Sequence, residues 1–521
     1  MNDQRSARIC SVYLSLTLAL ATVAGADPDV QAGFPAPLNG DRVREGSIAL
    51  GDVTGNGNLD IVIGTGDGNV HALDGNGNQL WRFVSGMMSV NSKPAIANID
   101  TDPEAEIIVT FADPRRPESA NGGLMILDHQ GNMQCQYTTN DSDSSGFRDG
   151  IYGSPAIADL DGNDGGLMEI AFSAWDRLIR VINHDCTLVW FRNVVDTSWS
   201  SPAIGDIDRD GILDVVVGVA SDSMPGNNGE EDGGLLFAFS GINGENVPGF
   251  PVQIDETIQS SPALGDIDGD GFLEIMVGTG RCWSNPACAP GGRVNPGVGE
   301  YLNAFEHDGQ YVPGWPVAVP GTYSFSSPAL GDLDGDGLPE VVFNTVDPDA
   351  NEDGRIYALD ADGTALPGWP LQPQIPTADP NVFRQPETSA SPIMADLTGD
   401  GFPEVILPSS FELAMFDRNG NQLSRSVLPP DPNEFQLVSN FVLASAAAVG
   451  DIDGDGDLEL VAGGANAGGA QGTVYAWDFP AAADEEAWWP TFRRSSTNTA
   501  AITGLIFANG FESGDTSGWN S

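Results

Sequence analysis

Residues 331–345 read Gly331-Asp332-Leu333-Asp334-Gly335-Asp336-Gly337-Leu338-Pro339-Glu340-Val341-Val342-Phe343-Asn344-Thr345. Counting from Asp332, acids fall at loop positions 1, 3, 5 and 9, glycine stands at position 6, and an apolar run follows. Carboxylates at alternate positions around a glycine turn are what a hard divalent cation needs. The Val-Val-Phe run is the signal of a buried strand. The same pattern recurs eight times, with loops opening at Asp52, Asn98, Asp159, Asp206, Asp266, Asp332, Asp396 and Asp451, 46 to 66 residues apart. A period of that length belongs to propellers and solenoids.

Each unit parses into four β segments. In the sixth, 326–331 leads into the acidic loop, 340–345 leaves it, 355–359 follows, and 366–371 comes after an Asp-Ala-Asp-Gly turn. Four antiparallel strands repeated in a ring make a β-propeller, whereas a straight solenoid would want shorter and more uniform units. The expected fold is therefore all-β, a propeller over residues 27–500 with repeats at 47–90, 91–150, 151–198, 199–258, 259–322, 323–387, 388–443 and 444–500. Eight blades is the reading, and seven is the alternative, because the second and third copies are the most irregular. Gly33-Phe34-Pro35 echoes Gly249-Phe250-Pro251 and Gly314-Trp315-Pro316. It is expected to supply a strand that latches the ring against the last repeat.

Four loops are complete: Asp206, Asp208, Asp210, Asp214; Asp266, Asp268, Asp270, Glu274; Asp332, Asp334, Asp336, Glu340; and Asp451, Asp453, Asp455, Glu459. In these, position 7 offers a backbone carbonyl, from Ile212, Phe272, Leu338 and Asp457 in turn. The loop at Asp396 has Thr398 at position 3 and keeps Asp400, Phe402 and Glu404. The first loop uses Asp52, Thr54, Asn56, Asn58 and Asp60, all oxygen donors with less charge. The second has Asn98, Asp100, Asp102 and Glu106, with Pro103 in the glycine position. The third, Asp159, Asp161 and Asn163, carries a two-residue insertion before Glu169. Seven flexible oxygens suit Ca²⁺ better than Mg²⁺, and four to six sites are expected. The spacing begins like an EF-hand, but a strand follows where a helix would be required. The competing reading is a set of Asp-Gly turns without metal.

These loops, following Ser-Pro-Ala-x-Gly as at 327–331, resemble the FG-GAP or VCBS-type repeats of integrin α-subunit head propellers and of many secreted bacterial proteins. The resemblance runs from roughly Gly46 to Arg494. It implies a propeller, calcium and an extracellular setting, and it implies no activity.

A net charge of −53 argues against nucleic acid and anionic membranes as partners. Residues 1–26 read as a secretory leader, with Arg5 and Arg8, an apolar run from Val12 to Ala21, and Ala24-Gly25-Ala26 for cleavage. No later stretch is long and apolar enough for a membrane span. Cys282 and Cys288 suit a small loop-closing disulfide of an oxidising compartment, while Cys135 and Cys186 sit in neighbouring repeats with their pairing left open. Residues 501–521 depart from the repeat and resemble a short tail of secreted Gram-negative proteins, a candidate sorting signal.

Strand alternation puts the acidic loops on one face and the long connections on the other, where binding usually resides. Candidates on that ligand face are Trp175, Arg281, Trp283, Tyr323 and Arg384, together with Tyr152 and Trp199. The four histidines form no triad, and no catalytic residue is assigned. The expected function is non-catalytic adhesion to, or recognition of, an extracellular glycan or protein. One alternative is a polysaccharide lyase resembling rhamnogalacturonan lyases, which needs acids, a base and Ca²⁺ converging on the channel or the long-loop face. The other is a structural cell-surface component.

Overall fold

Runs such as Asp60–Gly64 and Glu106–Phe111 are buried at every position, so each must lie between two apolar layers rather than on one. A ring of radially packed sheets supplies those layers. The computed structural model describes residues 28–43, 48–112, 121–142, 144–162, 166–221, 233–254, 257–279, 301–319, 326–345, 355–371, 390–409, 412–424, 437, 442–443, 445–465, 471–479 and 489–502. The leader, Asn163, Arg281, Cys282, Trp283, Cys288, Tyr323, Arg384 and the tail beyond Ile502 lie outside the described residues.

The described chain folds into eight antiparallel blades with strands in sequence order and no helix. In blade 1 the order is Ile48–Gly51, Asp60–Gly64, Asn69–Leu73 and Gln79–Val84; the first three are wholly buried and the fourth is mostly exposed. The first strand of each blade lines the axis. In blades 6 and 7 the outermost strand shrinks to isolated bridges, Ile356 to Leu371 and Phe416 to Gln422. The core lies between blades: Leu50, Ile61 and Ile63 of blade 1 pack with Val461 and Ala476 of blade 8. The seven-blade alternative falls, because the irregular second and third copies still form Ala95–Tyr137 and Ala156–Asn193 as full blades.

Blade 8 contains Ala448–Gly450, Leu458–Ala465 and Gly472–Phe479, and its outer edge is finished by the N-terminal segment. Asp29 pairs with Asp478 and Ala36 with Val474, both antiparallel. The expected latch is present.

Two further devices join the blades. Near the axis, the N–H of Lys93 donates to Ser154 Oγ, that of Ser154 to Ser201, Ser201 to Ser261, Ser261 to Ser327, and Ser327 to Ser391, all at 2.8–2.9 Å. The serine of the Ser-Pro-Ala signature is thus a blade-to-blade rung. On the outside, Trp81 Nε1 donates to His129 O at 2.9 Å, and Trp190, Trp315 and Trp369 reach Gly241, Ala361 and Arg418 of the following blade in the same way. A Cβ on Gly131 or Gly244 would lie 2.6 or 2.7 Å from the Trp81 or Trp190 ring, so the turn that receives the indole must be glycine there.

Blade 2 has Cys135 in the tryptophan position, and the receiving turn of blade 3 has Cys186, at φ 64°, in the glycine position. The two are joined by a disulfide. A cross-link has replaced an indole strap. Closing the 51-residue separation is worth about 4 kcal/mol by chain entropy, so reductant is expected to lower the urea midpoint clearly. The double variant Cys135→Trp with Cys186→Gly should fold and lose that sensitivity, while Cys135→Trp alone should be the least stable of the three; equal midpoints for both variants would refute the exchange.

The segment after blade 8 departs from the expected boundaries at 500 and 501. Residues 489–502 leave the blade and wind about the axis. Carbonyls of Trp489, Pro490, Ser496, Thr497, Thr499 and Ala500 accept the inner-strand N–H groups of Met394, Val449, Ile96, Ile157, Ile204 and Leu264 at 2.8–2.9 Å. Thr491 Oγ1 donates to Ile48 O, and Ala501–Ile502 runs parallel to Leu264–Gly265. The segment therefore reaches seven of the eight blades. Arg493 is buried and its guanidinium donates to Pro202 O and Pro262 O at 2.6 and 2.5 Å. Lys93 Nζ, also buried, donates to Ser495 O, and Asn498 Nδ2 to Pro155 O. Burial pushes the Lys93 ammonium well below its usual range and the Arg493 guanidinium down to about 9.

Candidate metal loops and the opposite face

One hydrogen bond is made in all eight loops. The position-9 carboxylate accepts the N–H of position 2: Asp60 from Val53, Glu106 from Ile99, Glu169 from Leu160, Asp214 from Ile207, Glu274 from Ile267, Glu340 from Leu333, Glu404 from Leu397 and Glu459 from Ile452, at 2.5–3.1 Å. This carboxylate begins the second strand, which is why an acid and not a neutral turn residue stands there. Position 1 is fixed from the other side, Asp332 by Gly335 and Gly337, Asp396 by Gly399 and Gly401, Asp451 by Gly454 and Gly456. Positions 3 and 5 each accept the N–H two residues on, as in Asp268 from Asp270 and Asp270 from Phe272. Those bonds use one oxygen of each carboxylate.

Asp206 Oδ1, Glu274 Oε1 and Glu459 Oε1 are buried without a hydrogen-bond partner. A buried anionic oxygen with no donor is costly unless a cation meets it. Carboxylate oxygens of Asp266, Asp268 and Glu274, and those of Asp206, Asp208 and Asp210, lie within 4.8 Å of one another. The irregular loops also converge: Asp100, Asp102 and Glu106, and Asp159, Asp161 and Glu169, satisfy the same limit. Sequence reasoning missed two acids beside these loops, one in the turn after the third strand of blade 5 and one near the end of the third strand of blade 8. Glu306 gathers with Asp268 and Asp270, and Asp478 is pushed upward by burial and by Asp455, Asp457 and Asp453.

Burial, and secondarily the neighbouring carboxylates, raise every closing acid. Glu106 is pushed up to about 7, Asp214, Glu340, Glu404 and Glu459 to about 8, and Glu274 to about 9. These are the environments of acids that want either a proton or a cation. The donor set is all oxygen, with carboxylates and, at position 7, a backbone carbonyl, which fits Ca²⁺ and does not fit a soft metal.

Trp175, expected on the ligand face, lies on the side away from the acidic loops with Tyr152 and Trp199. Ring centroids are 5.1 Å apart for Trp175–Trp199 and 4.9 Å for Tyr152–Trp199. His71, fully buried, sits between Asp41 at 2.7 Å and Gln79 at 3.3 Å, and Arg82 shares Asp41. Asp41 precedes blade 1 and the pair fastens that blade to the N-terminal latch.

No family model matches this chain, and no curated protein matches it by sequence. Solved structures match it by fold. The V. cholerae biofilm matrix protein Bap1 has a TM-score of 0.54 at 14% identity, covering 93% of this chain and 97% of that one. BamB from Moraxella catarrhalis has a TM-score of 0.40 at 14% identity, covering 73% of this chain and 81% of that one. The chain shares the propeller architecture of Bap1, and at this identity the likeness extends to the fold alone.

Proposed function

We propose that the protein is a calcium-stabilised propeller of the FG-GAP or VCBS kind, secreted, and that it works without catalysis by recognising an extracellular glycan or protein. The observation that carries the reading is the ring of acidic loops on one face, eight times closed by a carboxylate and with orphaned oxygens at Asp206, Glu274 and Glu459. Metal bound there rigidifies one face and leaves the long connections of the other free to vary. Residues 489–502 run along the axis, which disfavours the channel as one of the two places, channel or long-loop face, where the lyase reading would bring an acid, a base and Ca²⁺ together. The Cys135–Cys186 disulfide suits an oxidising compartment.

The test is equilibrium dialysis with radioactive Ca²⁺ followed by binding to a glycan and matrix-protein array with and without chelator. Four to six ions per chain and chelator-sensitive array binding are expected. Fewer than one ion per chain, or array binding indifferent to chelation at saturating protein, would sink the reading.

A further inference from the structure

The inner-strand approach carries one position whose side chain changes from blade to blade while its neighbours repeat. Three residues before the proline of the Ser-Pro-Ala signature stand Asn91, Tyr152, Trp199 and Gln259 in blades 2 to 5. The equivalents in the other blades, Glu45, Phe325, Ser389 and Ala444, lie outside the described residues. The four described residues line one arc of the axial mouth, on the face away from the acidic loops. A shallow depression opens beside them, lined by Asn91, Tyr152, Trp199 and Gln259 with serines of the inter-blade ladder and Phe492. No charged side chain lines it among the described residues.

Two of the lining groups are unfinished. Gln259 is 6% exposed and its Oε1 has no partner; Asn91 is 8% exposed, its Nδ2 is taken by Ala112 O at 3.0 Å, and its Oδ1 has none. Beside them Trp175 Nε1, a donor, is also buried and unpaired. Buried amide oxygens without donors are expected to meet hydroxyl or N–H groups of something bound. The rings of Tyr152 and Trp199, both partly exposed, offer an apolar face next to those acceptors. Hydroxyl donors on the edge and C–H groups on the face of one molecule describe a pyranose. The lack of lining charge among the described residues, in a chain of net charge −53, disfavours an acidic sugar.

We infer that this axial mouth is a binding site for a neutral sugar residue, stacked on Tyr152 and Trp199 with its hydroxyls donating to Asn91 Oδ1 and Gln259 Oε1. The inference rests on the recognition reading above and locates its site. Ligands at such shallow sites are held weakly, with a Kd on the order of 1 mM per sugar.

The test is tryptophan fluorescence of the full protein titrated with dextran, mannan, galactan and chito-oligosaccharides, in Ca²⁺. Saturable quenching by at least one is expected. Gln259→Leu replaces an unpaired buried oxygen by an apolar side chain of similar volume, so it should melt no lower than the parent and yet bind at least tenfold more weakly; Trp199→Ala should lose binding altogether. Gln259→Leu folding well and binding as the parent does would overturn the site. A protein that binds arrayed glycans equally with and without Trp199→Ala would overturn it too, while leaving the recognition reading in place. Quenching by none of the four polymers overturns the sugar assignment, and the aromatic cluster is then packing between connectors.

Discussion

Chelation of the purified protein is expected to lower its thermal midpoint by about 10 °C, with full recovery in millimolar Ca²⁺ and only partial recovery in Mg²⁺. Binding to the folded state alone stabilises by about 2.7 kcal/mol per site at 100-fold excess, or about 11 kcal/mol for the four complete loops. A folded body of roughly 450 residues unfolds with an entropy of about 1 kcal/mol/K, so that sum corresponds to about 10 °C. The pH arm has a definite sign. Without metal, Asp214, Glu340, Glu404 and Glu459 titrate at about 8 and Glu274 at about 9 in the folded chain, against roughly 4 when unfolded. The folded state then holds more protons over that interval, so the contribution is present below about pH 4 and is lost as pH climbs through 8 to 9. In EDTA the midpoint should therefore fall from pH 5 to pH 9. Saturating Ca²⁺ keeps the same carboxylates ionised and should flatten or reverse the slope. Melting curves that ignore both chelator and Ca²⁺ across this range would reduce the loops to Asp-Gly turns.

A chain lacking residues 489–521 is expected not to fold, whereas one ending at Ile502 should melt like the full protein. The six inner-strand N–H groups of Met394, Val449, Ile96, Ile157, Ile204 and Leu264 would lose their acceptors. At about 1–3 kcal/mol for each buried unsatisfied group, the loss is about 6–18 kcal/mol, comparable with the whole stability of a domain. Trp489, 1% exposed, adds its own apolar burial. Point variants divide the effect. Arg493→Ala leaves Pro202 O and Pro262 O unpaired and a cavity on the axis, at an expected cost of about 3–5 kcal/mol. Arg493→Met fills the space and removes a buried charge, so it should cost less than about 2 kcal/mol. Circular dichroism and soluble yield of the two truncations decide the matter: a shortened chain that melts with the parent would show that the axial segment is passive filling.

Much of this was legible in the residues themselves. The acidic loops, the buried second strands such as Glu340–Asn344 and the blade count follow from a repeat that forces one local answer eight times. The latch was legible because Gly33-Phe34-Pro35 copies an outer-strand signature found in mid-chain. Residues 489–502 escaped because they have neither strand alternation nor loop acids; the inner strands are met mainly by their carbonyls, and a carbonyl leaves no mark on sequence. Two marks were nonetheless there. Lys93 stands where six of the other repeats place serine, and Arg493-Arg494 is a basic pair in a strongly acidic chain; Lys93 and Arg493 belong to the axis. Glu306 and Asp478 were missed because they lie on the third strand or the turn after it, well along the chain from the loops they approach. The Cys135–Cys186 pairing becomes readable only when both cysteines are placed on the tryptophan–glycine positions of the other blades.

The latch in blade 8 has a kinetic consequence. Asp29 must find Asp478, so the ring's last edge forms through one of the longest loop closures the chain allows, and such closures are slow. Until then Gly472–Phe479 is an open edge strand, the kind that accepts a strand from another molecule. At high concentration during refolding, the N-terminal segment of one molecule can complete the eighth blade of a neighbour with the same hydrogen bonds it makes at home. Exchanged dimers, rather than amorphous precipitate, are the misfolded product this topology favours.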